Sequence, residues 1–390
     1  MSAGREAVTT RGSLTDRLDD ELDSRDAEAF VHAGFERDPS IRYCLDAVGA
    51  GSDPESDVDR RRSGALRAVA YDGDEWLVGG ANGTPDTHPA ADLADRLAER
   101  GVSGRVLTPA HVPHDAALHL ENAGLSLAST DVVERARATK TEDERAAIEA
   151  AQRAASAGIE AAARVLADAT VGEGGALERD GDPVTSDRLR IAVDETVAAS
   201  GAFPAGNTEV RTIVASDGGC DRTAARGSEP LRPGDPIVVA VAPRTAGGYH
   251  GGLVRTLVVD PEGGPERRAH VALTQSFRSA GAMLTADEQS VAAVEGDLEA
   301  EVRSFGFGDE SGVQARVSGV GLEARERPRR SRETIGDGSI VRLEVAVGAE
   351  AGAPRIRLAD LLLRRPDGDG VEWLAAPSRS LDPRAVLDGR

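Results

Sequence analysis

The sequence has almost no lysine: Lys140 is the only one among the 46 basic residues, and arginine supplies the rest. Acidic residues number 67, which gives a formal net charge of −21. Such a chain repels phosphate backbones, so we predict no nucleic-acid partner. An acidic, alanine- and glycine-rich composition with arginine in place of lysine is typical of a high-salt cytosol and a GC-rich genome, which indicates a halophilic source.

Aromatic residues are also scarce, at 3%, and long apolar runs are missing. Apolar residues still make up 40% of the chain, so general disorder is excluded and the core must consist mainly of small aliphatic side chains. No run of about 18 apolar residues occurs, so we predict no transmembrane helix and no membrane partner. The first residues, MSAGREAVTTRGSLTDRLDDELDS, lack the apolar segment of a secretory signal. We therefore expect a cytoplasmic protein.

Cysteine is nearly absent, since Cys44 and Cys220 are the only two and lie far apart. Two isolated cysteines form neither a disulfide framework nor a zinc knuckle, so unpaired buried thiols are expected. The histidines His111, His114 and His119 lie close together and could in principle bind zinc. No cysteine lies nearby to complete such a site, so we expect surface or helix-capping histidines.

A length of 390 residues is typical of two domains. Residues 1–135 alternate helical and strand-like stretches, which predicts an α/β domain, with Asp72-Gly73-Asp74 as a hairpin turn. In residues 136–390, helix pairs interleave with antiparallel strands, which predicts an α+β domain. Thr141 is the expected N-cap of its first helix, which should run to about Ala169. Further helices are predicted over 186–199, 266–284 and 290–305, with strands over 211–215, 237–242, 253–259, 340–347, 355–364 and 371–374.

Five segments of this second part follow one another in a distinctive order. They are LRPGDPIVVAVAPR (231–244), GYHGGLVRT (248–256), VSGVGLEARERP (317–328), IVRLE (340–344) and IRLAD (356–360). Together they resemble the creatinase/Xaa-Pro aminopeptidase family, which has a pita-bread α+β catalytic domain. The helix that begins near Lys140 is similar to the one opening that domain, and residues 1–135 resemble the family's smaller N-terminal α/β domain. The resemblance covers nearly the whole chain.

The resemblance implies a two-metal site, because family members bind two divalent ions through two Asp, one His and two Glu. The equivalent positions here are Ala240, Gly252, Ser318, Glu344 and Ala359. Only Glu344 keeps a ligand side chain, and one carboxylate with one hydroxyl cannot hold two hard cations. Without metal, bound water keeps a pKa near 16, so no hydroxide forms at neutral pH. We therefore predict no metal, no other cofactor and no catalytic residue.

The residues that assist catalysis in the family are also changed. Arg325 replaces a histidine although Glu326 and Pro328 remain, and the family's substrate-contacting histidine falls near Thr223. Glu344 could act as a lone acid, but a leftover carboxylate stabilised by Arg342 or Arg357 is the favoured interpretation. The predicted remnant of the cleft consists of Glu344, Ser318, Glu326, Arg325, Arg255 and Arg357.

Two further patterns have competing interpretations. The basic run RERPRRSR (325–332) could dock an acidic partner, although a solvated loop paired with neighbouring acids is favoured. The sequence Ser318-Gly-Val-Gly suggests a phosphate loop or a serine nucleophile. It lacks the lysine of a P-loop and the flanking glycines of a nucleophile elbow, so neither is expected.

The sequence thus predicts a non-catalytic protein of this family with a binding or regulatory role. Some relatives with degenerate sites are protein-binding modules, including a histone-chaperone domain. A peptide or protein ligand is therefore a candidate partner. Because family members commonly dimerise, a homodimer or a heterodimer with an active paralogue is also expected. The alternative is a metal-dependent aminopeptidase or other hydrolase acting on Xaa-Pro peptides through an atypical site.

Overall fold

A computed structural model describes residues 9–35, 37–49, 66–79, 87–204, 208–212, 228–261, 263–348, 355–368 and 370–388. The chain divides into two compact units, Met1–Arg137 and Ala138–Arg390, close to the predicted boundary after residue 135. Cys44 is buried and forms no disulfide, whereas Cys220 and Thr223 lie outside the described residues. No helix in the described ranges is long and apolar enough to cross a membrane.

The first unit contains a five-stranded mixed sheet with helices packed against it. Its strands are β1 (Ala29–Phe35), β2 (Leu66–Tyr71), β3 (Trp76–Gly79), β4 (Arg105–Pro109) and β5 (Ser126–Thr130). Its helices are α1 (Thr9–Arg25), α2 (Pro39–Ala47), α3 (Pro89–Glu99), α4 (His114–Asn122) and α5 (Val132–Ala138), the last ending at the unit boundary. The strand order is β3-β2-β1-β4-β5, with β1 antiparallel to β2 and parallel to β4. This is the predicted α/β arrangement.

The predicted hairpin in this unit forms at Asp72. Its Oδ1 accepts hydrogen bonds from the backbone N–H groups of Asp74 and Glu75, at 3.1 and 2.8 Å. This side-chain bond closes the turn between β2 and β3, because an aspartate oxygen can stand in for a backbone acceptor.

Four histidines of the first unit lie at or near helix ends, whereas the buried His32 lies within β1. The His88 Nδ1 accepts a hydrogen bond from Ala90 N–H and so caps α3, while the His88 ring stacks on His119 with centroids 4.4 Å apart. The exposed His111 and His114 lie before and at the start of α4. Within the described ranges, no three His, Cys, Asp or Glu side chains are grouped so that they could hold a metal ion.

The second unit is built on a seven-stranded antiparallel sheet. Its strands are β9 (Glu209–Thr212), β10 (Ile237–Val241), β11 (Leu253–Leu257), β13 (Gln314–Gly319), β15 (Ile340–Gly348), β16 (Arg355–Arg364) and β17 (Val371–Trp373). The order is β13-β15-β16-β11-β10-β9, with β17 paired to the end of β16. Short strands outside this sheet are β6 (Thr170–Val171), β7 (Leu177–Arg179), β8 (Asp182–Pro183), β12 (Gln289–Ser290) and β14 (Thr334–Ile335).

Two helix pairs cover one face of the seven-stranded sheet. They are α6 (Glu142–Ala167) with α7 (Ser186–Ala199), and α8 (Pro265–Ala286) with α9 (Val291–Ser304), and a short α10 (Pro383–Asp388) follows. Val239 and Val241 pack with the first pair, and Leu343 packs with the second. Because strand side chains alternate, Val238 and Ala240 point to the opposite face.

The helix α6 begins as the sequence predicts. Thr141 is its N-cap, with the Thr141 Oγ1 accepting from Glu144 N–H at 3.3 Å and a Glu144 carboxylate oxygen accepting from Thr141 N–H at 2.9 Å. This capping box satisfies two backbone donors that a helix start leaves without partners.

Candidate functional site

The five positions singled out by their resemblance to metal-ligand positions lie on one face of the seven-stranded sheet. In the register of the strands, Ala240 is opposite Val254, and Val254 is opposite Ala359. Ala359 is in turn opposite Glu344 on β15. Residues directly opposite one another in antiparallel strands point to the same side of the sheet. These side chains therefore share the face away from the helix pairs.

Ser318 and Gly252 border the same group. Ser318 is opposite Arg342, which precedes Glu344 by two residues and so shares its face. A Cβ atom added at Gly252 would lie 3.7 Å from the Cδ of Arg342. The strand register thus places Ala240, Ser318, Glu344 and Ala359 on one face of the sheet, and Gly252 lies beside the Arg342 side chain.

The loop before β11 is fixed against α6. The Gly252 N–H donates to the Gln152 Oε1 at 2.9 Å. A Cβ at the neighbouring Gly251 would lie 2.7 Å from the backbone carbon of Ala151, so no other residue fits there without displacing the helix. Gly252 is therefore held in place by contacts on both sides.

Three guanidinium groups surround the one surviving carboxylate. Arg342 and Arg325 approach the Glu344 Oε2, at 3.1 and 3.2 Å, and Arg357 donates to its Oε1 at 2.6 Å. The other side of Arg357 lies 3.6 Å from a carboxylate oxygen of Glu209. We call these five residues the arginine cluster. It holds more positive than negative groups in a chain whose net charge is −21.

The electrostatics of the cluster favour an ionised Glu344. Burial raises the pKa of this carboxyl group, but Arg342, Arg357 and Arg325 together outweigh burial and leave the pKa below its usual range. The pKa of the Arg342 guanidinium is lowered, chiefly by burial and further by the repulsion of Arg325 and Arg357, although Glu344 opposes this. Arg342 is the most deeply buried guanidinium of the group.

The residues of this face do not fit a pair of divalent cations. Ala240, Gly252 and Ala359 offer no side-chain donor atom, and Ser318 offers one hydroxyl. Hard cations need several carboxylate oxygens or imidazole nitrogens. Guanidinium groups stay charged and carry no lone pair for a metal, and here they occupy both oxygens of Glu344. A cation placed among them would be repelled.

Two residues predicted for the remnant of the cleft lie elsewhere. Arg255 points to the helix-covered face of the sheet, where it is fully buried and donates to the Asp360 Oδ1 at 2.7 Å. Its neighbours in the chain, Val254 and Thr256, point to the cluster side, so strand alternation explains the difference. Glu326 turns away from its neighbour Arg325 and pairs with Lys140 in a buried ion pair. Of the predicted set, Glu344, Ser318, Arg325 and Arg357 are brought together.

The basic run 325–332 is partly paired within its own loop. Arg327 contacts the Glu333 Oε1 at 2.7 Å, and the Glu333 Oε2 accepts from the backbone N–H groups of Arg329 and Arg330, at 2.7 and 3.1 Å. The Arg330 side chain remains 75% exposed. Apart from Arg325, which joins the arginine cluster, and the buried Glu326 and Pro328, the run forms a solvated loop organised by Glu333.

Comparison with known families and structures identifies the fold around this face. The model of metallopeptidase family M24 matches residues 146–365. The chain belongs to this family. The prolidase from Pyrococcus horikoshii OT3 superposes with a TM-score of 0.70 at 16% identity, over 94% of this chain and 99% of that one. The Xaa-Pro dipeptidase from Bacillus anthracis gives a TM-score of 0.70 at 14% identity, over 95% and 99%.

A third similar structure is the N-terminal domain of the FACT complex subunit SPT16 from Cicer arietinum, with a TM-score of 0.64 at 13% identity over 97% of this chain and 99% of that one. The comparison with curated proteins gives no match. At these identities the structural matches speak for the fold alone. With the family match, they confirm the predicted pita-bread α+β fold.

Sequence reasoning named Arg342 and Arg357 beside Glu344 but missed Glu209 in this M24 protein. Arg342 and Arg357 each precede a predicted ligand position by two residues on the same strand. The two-residue period of a strand was therefore the signal that placed them on this face. Glu209 faces Ala240 from β9, and only the pairing of the strands reveals this.

The lowered pKa of Glu344 predicts a loss of stability in acid. A folded-state pKa below the usual 4.5 means that the ionised form stabilises the folded state above that pH. This contribution is lost as the pH falls through the folded-state pKa. We expect Glu344→Gln to lower the melting temperature near pH 7, and the difference from the unaltered protein to shrink below about pH 4.5.

Thermal unfolding from about pH 7 to about pH 3 measures this difference. The exposed Glu173 provides the matched control, because Glu173→Gln removes one carboxylate that is not among the acids contacting the arginines of the cluster. A gap between the Glu344→Gln and unaltered proteins that stays constant across this range would contradict the prediction.

Proposed function

We propose that this chain is a non-catalytic member of metallopeptidase family M24 whose arginine cluster serves binding or regulation. The proposal is carried by one observation: Arg325, Arg342 and Arg357 all contact Glu344 on the face where the resemblance implies a pair of cations. In this chain, positive side chains take the place of positive ions.

Hydrolysis by the family mechanism depends on metal, because a metal-bound water reaches a pKa near 7 while free water stays near 16. Four of the five implied ligand positions are Ala240, Gly252, Ser318 and Ala359, which offer a single hydroxyl between them. Neither these four residues nor the guanidinium groups can lower the pKa of a water molecule as a metal ion does. We consequently propose that the fold serves recognition.

A binding role is consistent with the range of proteins that share the fold. The similar domain from chickpea is, by its name, part of a subunit of a complex. A peptide or protein is therefore the proposed ligand class for this chain. We also propose a dimer, either with itself or with a catalytically intact paralogue. A cytoplasmic location and a halophilic source are proposed from the acidic, arginine-rich composition.

Metal analysis combined with a peptidase assay tests the proposal. We expect the protein, purified and dialysed with Mn²⁺, Co²⁺ or Zn²⁺, to hold no stoichiometric metal and to leave Xaa-Pro dipeptides intact in low- and high-salt buffers. A prolidase such as that of Pyrococcus horikoshii OT3 serves as the positive control under the same conditions. If this chain is instead a metal-dependent hydrolase, it should bind stoichiometric metal and cleave the dipeptides, and Glu344→Gln should abolish both. That result would overturn the proposal.

The proposed dimer is tested by affinity purification of the protein from its native cell. Recovery of a homologue with intact metal ligands in equal amount supports a heterodimer. Recovery of the chain alone, with a dimer mass in solution, supports a homodimer. A monomer in both experiments would exclude the proposed pairing.

A further inference from the structure

The arginine cluster has a surplus of positive charge. Three guanidinium groups, those of Arg325, Arg342 and Arg357, face two carboxylates, Glu344 and Glu209. The exposed Arg316 lies directly opposite Glu344 in the strand register and adds a further positive group to the same face. Concentrated positive charge in an otherwise acidic protein attracts anions to that place and repels cations from it.

Arg342 has the strongest need of a further acceptor. Its side chain is only 11% exposed and makes one ion pair, to Glu344 at 3.1 Å. The Arg342 Nε is buried and donates to no acceptor among the described residues. A buried donor without a partner costs free energy, and more so on a charged group. A ligand oxygen beside Arg342 would remove that cost.

Small and apolar residues border one side of the arginine cluster. Gly252 lies beside the Arg342 side chain, and Ala240 and Ala359 form an apolar floor with Val238 and Val254. Such walls exclude water and strengthen the attraction between a guanidinium and an anion. Specificity at this face would come from the arginines, because the floor carries no polar side chain.

A carboxylate suits these arginines better than a dianionic phosphate. Glu344 already provides a carboxylate bound by all three guanidinium groups, one of them at 2.6 Å, so the cluster has the geometry for this anion. The charge count alone does not separate the two anions, because Arg316 on the same face adds a fourth guanidinium. The way in which the three arginines hold Glu344 is what favours a carboxylate.

We propose that the arginine cluster binds a carboxylate group of a peptide ligand. This inference rests on the proposed binding function and names its ligand class. The carboxylate would lie between Arg342 and Arg357, and the half-exposed Arg325 would close over it from the 325–332 loop. The carboxylate could be a chain terminus or an acidic side chain, and the same three arginines would recognise either.

Three capped peptides distinguish a carboxylate at a chain terminus from one on an acidic side chain. Acetyl-tetraalanine with a free carboxylate carries only the terminal group, acetyl-Ala-Glu-Ala-Ala amide carries only the side-chain group, and acetyl-tetraalanine amide carries neither. We expect calorimetry to detect binding of one or both peptides that carry a carboxylate, and the neutral amide to bind at least about tenfold more weakly. Binding of the first alone identifies a chain terminus, and binding of the second alone identifies an acidic side chain. Equal affinities for all three peptides would overturn the inference.

Substitutions in the arginine cluster test whether its residues bind the peptide carboxylate. Arg357→Gln and Arg325→Gln are each expected to lower the affinity for the acidic peptide by about tenfold, because each removes one charged hydrogen bond. Glu344→Gln should raise that affinity, because the carboxylate that competes with the peptide is gone. Arg330→Gln, in the same loop but outside the cluster, is the matched control and should leave the affinity unchanged. Circular dichroism establishes that each variant is folded.

Weaker binding in Glu344→Gln, or unchanged binding in both arginine variants, would overturn the inference, as would tighter binding of inorganic phosphate than of either acid. The acetyl caps remove the free amino terminus that an aminopeptidase needs. Failure here is therefore distinct from failure of the non-catalytic proposal, which would appear as metal-dependent cleavage of uncapped Xaa-Pro peptides.

Discussion

Replacing Lys140 by methionine is expected to lower the free energy of unfolding by about 3–5 kcal/mol. The Lys140 ammonium pairs with the Glu326 carboxylate, and the two side chains are only 1% and 4% exposed. The buried Glu144 lies close enough for Lys140 to lower its pKa, although burial raises it more. Removal of the ammonium would leave two carboxylates in the interior without their cation.

This buried pair also explains why the chain keeps one lysine. A Cβ at Gly321 would lie 2.1 Å from a carboxylate oxygen of Glu326 and 2.9 Å from the Lys140 Nζ, so the pair already fills the space beside the glycine. An ammonium is compact, whereas a guanidinium is wider and planar. Lys140→Arg is therefore also expected to destabilise the fold, although it conserves the charge.

Chemical denaturation measures both Lys140 variants. The matched control is Arg153→Met on the same helix α6, where an arginine that is 62% exposed pairs with Glu149 at 3.8 Å. Exposed pairs of this kind contribute less than about 1 kcal/mol. If Lys140→Met lowers the free energy of unfolding no more than Arg153→Met does, the buried Lys140–Glu326 pair contributes little to stability.

Replacing Arg255 by methionine is expected to have an effect of similar size, about 3–5 kcal/mol. The Arg255 side chain is fully buried and donates to the Asp360 Oδ1 at 2.7 Å. Its remaining hydrogen bonds go to backbone carbonyl groups that join neighbouring strands to the C-terminal segment. These acceptors are the carbonyl oxygens of Val254, Ala359, Pro377 and Ser378. Methionine would remove the Arg255 hydrogen bonds from all four carbonyl groups and from the buried Asp360 carboxylate.

A double variant separates the charge from the packing. Asp360 keeps one partner in Arg255→Met, because the Arg379 Nε contacts its Oδ2 at 2.6 Å. In Arg255→Met with Asp360→Leu the buried charge is gone, so part of the lost stability should return. The control is Arg365→Met, which removes an exposed pair with Glu372. Absence of any recovery in the double variant would assign the loss to packing and backbone bonds alone.

These two buried pairs mark the limit of what the sequence could predict. Both Arg255 and Asp360 belong to segments that resemble family motifs, yet the motifs do not say that the two side chains meet across 105 residues. Lys140 and Glu326 are separated by 186 residues, and neither position suggests the other. Long-range ion pairs depend on strand register and on helix packing, which local periodicity does not specify.

Local structure was far more predictable. The helix from Glu142 to Ala167 and the strand from Arg355 to Arg364 follow the predicted bounds closely, because capping residues and apolar periodicity act over a few neighbours. The strand Gln314–Gly319 was not predicted from periodicity. Its sequence, QARVSG, has few apolar residues, and it forms a strand because β15 pairs with it along its whole length.

The closeness of Gly252 to Arg342 has a consequence for how this lineage can change. An aspartate arising at position 252 would place its Cβ 3.7 Å from the Arg342 side chain, and its carboxylate would be neutralised there at once. A single Gly252→Asp substitution would thus create an internal ion pair and no coordination site. Under the proposed non-catalytic function, a metal site on this face would require the arginines to be replaced as well as acidic residues to be introduced.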